Sequence, residues 1–105
     1  MATTTKVLYR GAASTTANTV LYTTPNTSTI AIVTNIVVTN TSAASGTFRL
    51  SLADVALATD TVIAANDSTV IDLKQVIPAN NPALTIKGSA SATTINFHIS
   101  GLEIA

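Results

Sequence analysis

The chain has 105 residues, 47% of them hydrophobic and 10% charged, with no cysteine and no formal net charge. That is the length of one small domain. The missing cysteine excludes a disulfide-stapled miniprotein and a thiolate zinc site. The balance of charge excludes an electrostatically driven nucleic-acid binder, and the apolar composition is the reverse of a disordered chain's.

The densest apolar run, Ile30–Val33, is interrupted by Thr34-Asn35 and the next by Asn40. A membrane helix needs about 20 predominantly apolar residues, so none is expected and no membrane partner is implied. Met1–Lys6 lacks the basic start and apolar core of a signal peptide. The expectation is a soluble protein made in the cytoplasm.

Threonine occurs 20 times, and isoleucine and valine together 19 times. These β-branched residues fit a pleated sheet better than a helix. In chain order the first strand is expected at about Thr5–Gly11, with Val7 and Tyr9 on one face and Lys6, Leu8 and Arg10 on the other. Residues 1–5 before it read as a flexible arm, and 6–105 as the domain.

The second strand, about Thr19–Thr24, ends at the turn Pro25–Ser28, where proline fixes φ and removes a ladder donor. The third is the run Thr29–Thr41, in which Ile30, Ile32, Ile36 and Val38 share one parity while Val33 and Val37 make the other face apolar too. A turn at Ser42–Gly46 precedes the clearest alternation, with Phe48, Leu50 and Leu52 on one side and Thr47, Arg49 and Ser51 on the other.

A strand at about Asp60–Ala64 follows, with a short helical turn competing over Ala53–Thr59. After the turn at Asn66-Asp67 comes a strand over Ser68–Lys74, then a loop at Pro78–Pro82 and a strand around Leu84–Lys87. The last strand, about Thr93–Ile104, puts Ile95, Phe97 and Ile99 on one face. Leu102 and Ile104 have the other parity, so a bulge near Ser100-Gly101 is expected to restore a single buried face.

About eight strands without a helix predict an all-β, antiparallel β-sandwich, jelly-roll-like, with an immunoglobulin-like sandwich as the second choice.

Reactive chemistry is scarce. His98 and Ser100 share the outward face of the last strand, but no nucleophile-elbow motif accompanies them. Asp60 and Asp67 sit near loop ends without a D-x-D-x-D-G calcium loop and read as turn residues. A transition-metal site would need His98 gathered from several subunits. The triplets at Asn26, Asn40 and Asn66 match the glycosylation pattern, and read as turn chemistry in a chain expected not to be exported. Gly11, Gly46, Gly88 and Gly101 form no phosphate loop. The expectation is no enzyme, no cofactor and no metal.

Surface composition is the remaining signal. A free domain usually carries a net charge of about 2–8, and this one carries none. Leu8, Val33, Val37 and Val70 read as outward apolar positions, which predicts a homo-oligomer burying them.

Leu21–Pro25, Ala31–Ser42, Thr47–Leu52, Leu84–Gly88 and Ile95–Ile104 together resemble a pattern in small structural proteins of tailed bacteriophages. The resemblance runs from about Leu21 to the C-terminus and rests on hydrophobic spacing and turns. It implies a non-enzymatic virion protein, of capsid decoration or cement type. Such a protein forms a trimer on the capsid exterior and clamps the major capsid protein. The alternative it implies is a tail, collar or fibre module that binds a receptor or glycan. Glycan binding asks for exposed aromatics, and Tyr9, Tyr22, Phe48 and Phe97 are mostly expected in the core. Ala2, Thr3, Thr4 and Thr5 of the arm and Asn80 and Asn81 of the loop are the expected capsid contacts.

Overall fold

The computed structural model describes residues 3–105. It contains β1 (Thr3–Ala12), β2 (Thr19–Thr23), β3 (Ile30–Asn40), β4 (Gly46–Leu52), β5 (Val55–Ile63), β6 (Ser68–Ile77), β7 (Thr85–Ala90) and β8 (Ile95–Ile104). They form two four-stranded sheets, ordered β1-β8-β3-β6 and β2-β7-β4-β5, with every pairing antiparallel. β1 pairs with β8, β2 with β7, β3 with β6 and β4 with β5. The chain is thus one long hairpin, folded back at its middle and rolled so that alternate pairs fall in opposite sheets. This is the jelly-roll form of the β-sandwich, as the composition and spacing predict.

The core lies between the sheets. Ile95, Phe97 and Ile99 of β8 face Phe48 and Leu50 of β4 and Ile86 of β7, all buried. Phe48 and Phe97 meet edge to face across the sheets, with ring centroids 6.2 Å apart at 72°, an arrangement favoured by the ring quadrupoles.

Register departs from simple alternation along one line across the first sheet. Val7 pairs with Ser100 and Tyr9 with Ile99, so Leu8 is an extra residue in β1. Val33 pairs with Gly101 and Asn35 with Ser100, so Thr34 is extra in β3. In β6, Leu73 and Lys74 together oppose Thr34. The bulge expected in β8 therefore lies in its neighbours, and β8 alternates without a break. Thr34 Oγ1 donates to the Ser100 carbonyl at 3.2 Å, at the point where the ladder is interrupted.

These bulges decide which residues face inward. In β3, Ala31 and Val33 are buried before Thr34, and Ile36, Val38 and Asn40 after it. Ile30 and Ile32 consequently point outward, although they share parity with Ile36 and Val38. Two outward assignments from the sequence are overturned for the same reason. Val33 is wholly buried, and Leu8, turned in by its own bulge, belongs to the core.

Two local expectations are also corrected. Thr3–Thr5, taken as part of a flexible arm, are the start of β1, paired with Ile104, Glu103 and Leu102. Once β8 runs on to Ile104, its outer hydrogen-bonding edge is open, and β-branched threonines fill it readily. The stretch Ala53–Thr59 holds no helical turn. Ala53 and Asp54, at φ 51° and 63°, make the tight reversal into β5, the geometry of a two-residue hairpin loop.

The asparagine triplets act as turn chemistry, as expected. Asn26 Oδ1 accepts from the Ser28 amide at 2.9 Å and from the Thr29 hydroxyl at 2.9 Å. Buried Asn40 accepts from the Ser42 amide at 3.0 Å and donates to the Ala44 carbonyl at 2.9 Å. Asn66 takes the left-handed conformation, φ 54°, which asparagine tolerates.

Candidate assembly surface

The two outer faces of the sandwich differ in chemistry. On the second sheet the outward positions of β4 and β7 are Thr47, Arg49, Ser51, Thr85, Lys87 and Ser89. Arg49 makes a two-pronged ion pair with Asp60, both contacts 2.7 Å, and Lys87 pairs with Asp54 at 2.7 Å. The Arg49 guanidinium holds the Asp60 carboxyl below the usual carboxylate range. Shallow depressions of about 130 and 260 Å³ on this side are lined largely by these polar groups. Its charges are internally satisfied at the centre of the sheet, and on its flanks Val20, beside Lys87, and Val62, beside Thr47, are exposed.

On the first sheet the outward positions fall into cross-strand rows. One row is Thr5–Leu102–Ile32–Val76, and beyond it lies Thr3–Ile104–Ile30. The next, Val7–Ser100–Asn35–Asp72, is polar in its centre. After it come Arg10–His98–Val37–Val70 and Ala12–Asn96–Thr39–Ser68. The face is therefore aliphatic over Ile30, Ile32, Leu102, Ile104 and Val76, and again at Val37 and Val70. A depression of about 430 Å³ lies over the bulge line, between Thr5, Val7, Thr34, Ser100 and Leu102. Aliphatic side chains gathered on the outer face of a small domain suit an interaction site.

The apolar surface continues onto the free edges. Val70 and Val76 on β6 are 61% and 59% exposed, and Val7 on β1 is 45% exposed. No other strand among the described residues pairs with the far side of β1 or β6, and such open edges are templates for association.

Of the four apolar positions read as outward, Val37 and Val70 are neighbours on this face, while Leu8 and Val33 are in the core. Ile30, Ile32, Leu102 and Ile104 escaped sequence reading because the Thr34 bulge reverses the parity of β3 and because β8 carries no bulge. Asn80 and Asn81 are exposed in the β6–β7 loop, where Asn80 Nδ2 donates to the Pro82 carbonyl at 2.9 Å. The loop leaves β6 after Ile77, which shares a row with Ala31, Glu103 and Thr4, so it starts at the same end of the sheet as Thr3–Thr5, three strands away; Ala2 is outside the described residues.

His98 and Ser100 do project outward, as their parity predicts. His98 stands across from Arg10 and Val37, and Ser100 across from Val7 and Asn35, so neither strand beside His98 offers it an acid directly opposite. Among the described residues no group of three or more His, Asp or Glu is placed to hold a metal. Phe48, Phe97 and Tyr22 are buried, and Tyr9 is half-buried with its hydroxyl donating to the Ala12 carbonyl at 2.8 Å. The aromatic residues sit in the core, as expected, and form no platform for sugar stacking.

What the fold and this surface define is a jelly-roll sandwich with aliphatic rows at one end of the outer face of its first sheet and charged and hydroxyl side chains at the centre of the other. No protein-family model matches the chain, and no curated protein is similar to it in sequence. Among solved structures, it is similar to a chain in the crystal structure of the T13 viral particle of infectious bursal disease virus. The TM-score is 0.54 at 10% identity, over 97% of this chain and 30% of that one. It is similar too to a chain in the structure of the Gx strain of infectious bursal disease virus, with TM-score 0.50 and 15% identity, over 97% of this chain and 32% of that one. The chain thus spans about a third of the length of these proteins. At such identities the likeness is one of fold. Both of these chains are from infectious bursal disease virus, and they point to a viral β fold without singling out the tailed-bacteriophage proteins that the sequence pattern resembles.

Proposed function

We propose that the chain is a non-enzymatic structural protein of a virion, of the capsid decoration or cement type. In this reading it self-associates, as a trimer, on the capsid exterior and clamps major capsid subunits together. The observation that carries the reading is the asymmetry of the sandwich: outward aliphatic rows on β3 and β8 against a charged, hydroxyl-rich face on β4 and β7. A lone domain with so few charges gains nothing from that apolar face, whereas a subunit of a permanent assembly buries it. The similarity of the fold to a chain of a virus particle supports the same role. The exposed loop with Asn80 and Asn81 and the N-terminal segment Ala2–Thr5 remain the proposed contacts with the shell.

The test is co-sedimentation of the purified chain with virus shells lacking it. Saturable binding to shells, and none to an unrelated particle, is the expected result. Absence of binding at concentrations that saturate other decoration proteins removes the reading.

A further inference from the structure

Resting on that reading, we infer that three copies of the chain close into a prism around an axis parallel to the strands. The apolar outer face of the β1-β8-β3-β6 sheet points to the axis, and β1 of each copy abuts β6 of the next. Three observations meet in this arrangement: the outward aliphatic rows, the two free edges and the placement of charge.

Charge decides the pairing. Arg10 stands on the β1 edge of the face and Asp72 on the β6 edge, one row apart, at opposite ends of the same sheet. Neither makes an ion pair within the chain among the described residues. Strands β1 and β6 run in opposite directions, because each successive neighbour in the sheet is antiparallel. Rotation about an axis parallel to the strands keeps their directions, so β1 meets the next copy's β6 in antiparallel sense. Arg10 then lies beside Val70 of that copy and diagonal to its Asp72, within reach of a long side chain. Lys74, on the same edge, sits at the bulge on the far side of Asp72 from that contact.

Geometry decides the number of copies. Four strands at about 4.8 Å make a side about 19 Å wide, and the centre of a triangle of such sides is about 5.5 Å from each. That is roughly half the ~10 Å between packed sheets, so Ile32, Val37 and Leu102 of three copies fill the middle, with Asn35, Ser100 and His98 between them on the same strands. A square of four sheets would leave a hole, and two facing sheets would leave both edges open. The β2-β7-β4-β5 sheet, with Arg49 and Lys87 at its centre and Val20 and Val62 on its flanks, is outermost in the prism. A pair of surfaces that differ from each other and close by rotation is a heterologous ring.

Because the chain has no cysteine, a single engineered pair gives a direct test. In Arg10→Cys/Val70→Cys the two thiols lie at opposite edges of one sheet and cannot bridge within a molecule. Mild oxidation of the purified variant, without shells, is expected to give a non-reducing ladder that stops at three chains. Sedimentation of the unaltered protein is expected to give three times the 10.7 kDa chain mass. Arg10→Asp and Asp72→Arg alone should each weaken association about tenfold, and the double exchange should restore it. A ladder ending at two chains, longer polymers, no bridging, or an exchange no better than the single changes overturns the prism. A single subunit that still binds shells overturns the prism alone. A trimer that ignores shells overturns the decoration role alone.

Discussion

The hydroxyl of Tyr22, on β2, donates its proton to the carboxylate of Glu103, on β8, and so ties one sheet to the other. Glu103 faces inward because β8 alternates without interruption past Gly101, and its side chain is only 12% exposed. Lys6 of β1 completes the group, with Nζ 3.3 and 3.4 Å from the two carboxylate oxygens. Burial, then the hydrogen bond and charge of Glu103, push the Tyr22 hydroxyl well above its ordinary value of 10.0.

Removing that hydroxyl in Tyr22→Phe should cost about 2 kcal/mol, the usual worth of a hydrogen bond to a charged group. The pH dependence has a definite sign. A raised native pKa means that the unfolded state loses the proton first as pH rises, so this contribution is intact below pH 10.0 and declines above it. Urea unfolding at alkaline pH should show a decline that Tyr22→Phe lacks.

Gly101 is required for space, since no glycine in the chain has a positive φ. A β-carbon there would lie 2.2 Å from the Ile32 carbonyl oxygen and 2.9 Å from a Leu8 methyl. Backbone cannot yield as a side chain can, so Gly101→Ala should destabilise by about 3 kcal/mol. At Gly11 the nearest atom would be the Tyr9 hydroxyl at 3.4 Å, and Gly11→Ala should be far milder. Equal losses in thermal unfolding would contradict the role given to the bulge line.

Ala53 occupies the left-handed region at φ 51° in the β4–β5 turn, a conformation that costs a residue with a β-carbon about 1 kcal/mol. Ala53→Gly should raise stability by roughly 0.5 kcal/mol, since glycine's greater unfolded-state freedom takes back part of the gain. Calorimetry would detect the rise as a higher Tm.

Much of this architecture is visible in the residues themselves. The alternation of Phe48, Leu50 and Leu52, and of Ile95, Phe97 and Ile99, places two central strands correctly, and the asparagine turns bound their neighbours. The bulges were not visible, because an extra residue is defined only against its partner strand. Gly101 signalled the phase change, yet the insertions are Leu8 and Thr34, on the strands either side of it. That one displacement put Val33 and Leu8 on the wrong face and hid Ile30 and Ile32. Strand β5 was obscured differently. Ala56 and Ala58 weaken its strand signal, and its conformation is imposed by pairing with β4.

Two valines on β3, Val33 and Val37, separate folding from assembly. Val33→Asp buries a carboxylate without a partner and should unfold the domain. Val37→Asp alters only the outward face, so circular dichroism should stay that of a folded sheet protein while the sedimenting mass drops. A folded Val33→Asp protein, or an oligomer indifferent to Val37→Asp, would reverse the assignment of inner and outer faces.

The central claim, that this sandwich is a repeated component of a virus shell, is tested most directly by counting its copies in purified virions with isotope-labelled standards. Hundreds of copies per particle, in fixed proportion to the major shell subunit, is the predicted count. A handful per particle would assign it to the tail or collar, and none would contradict the account.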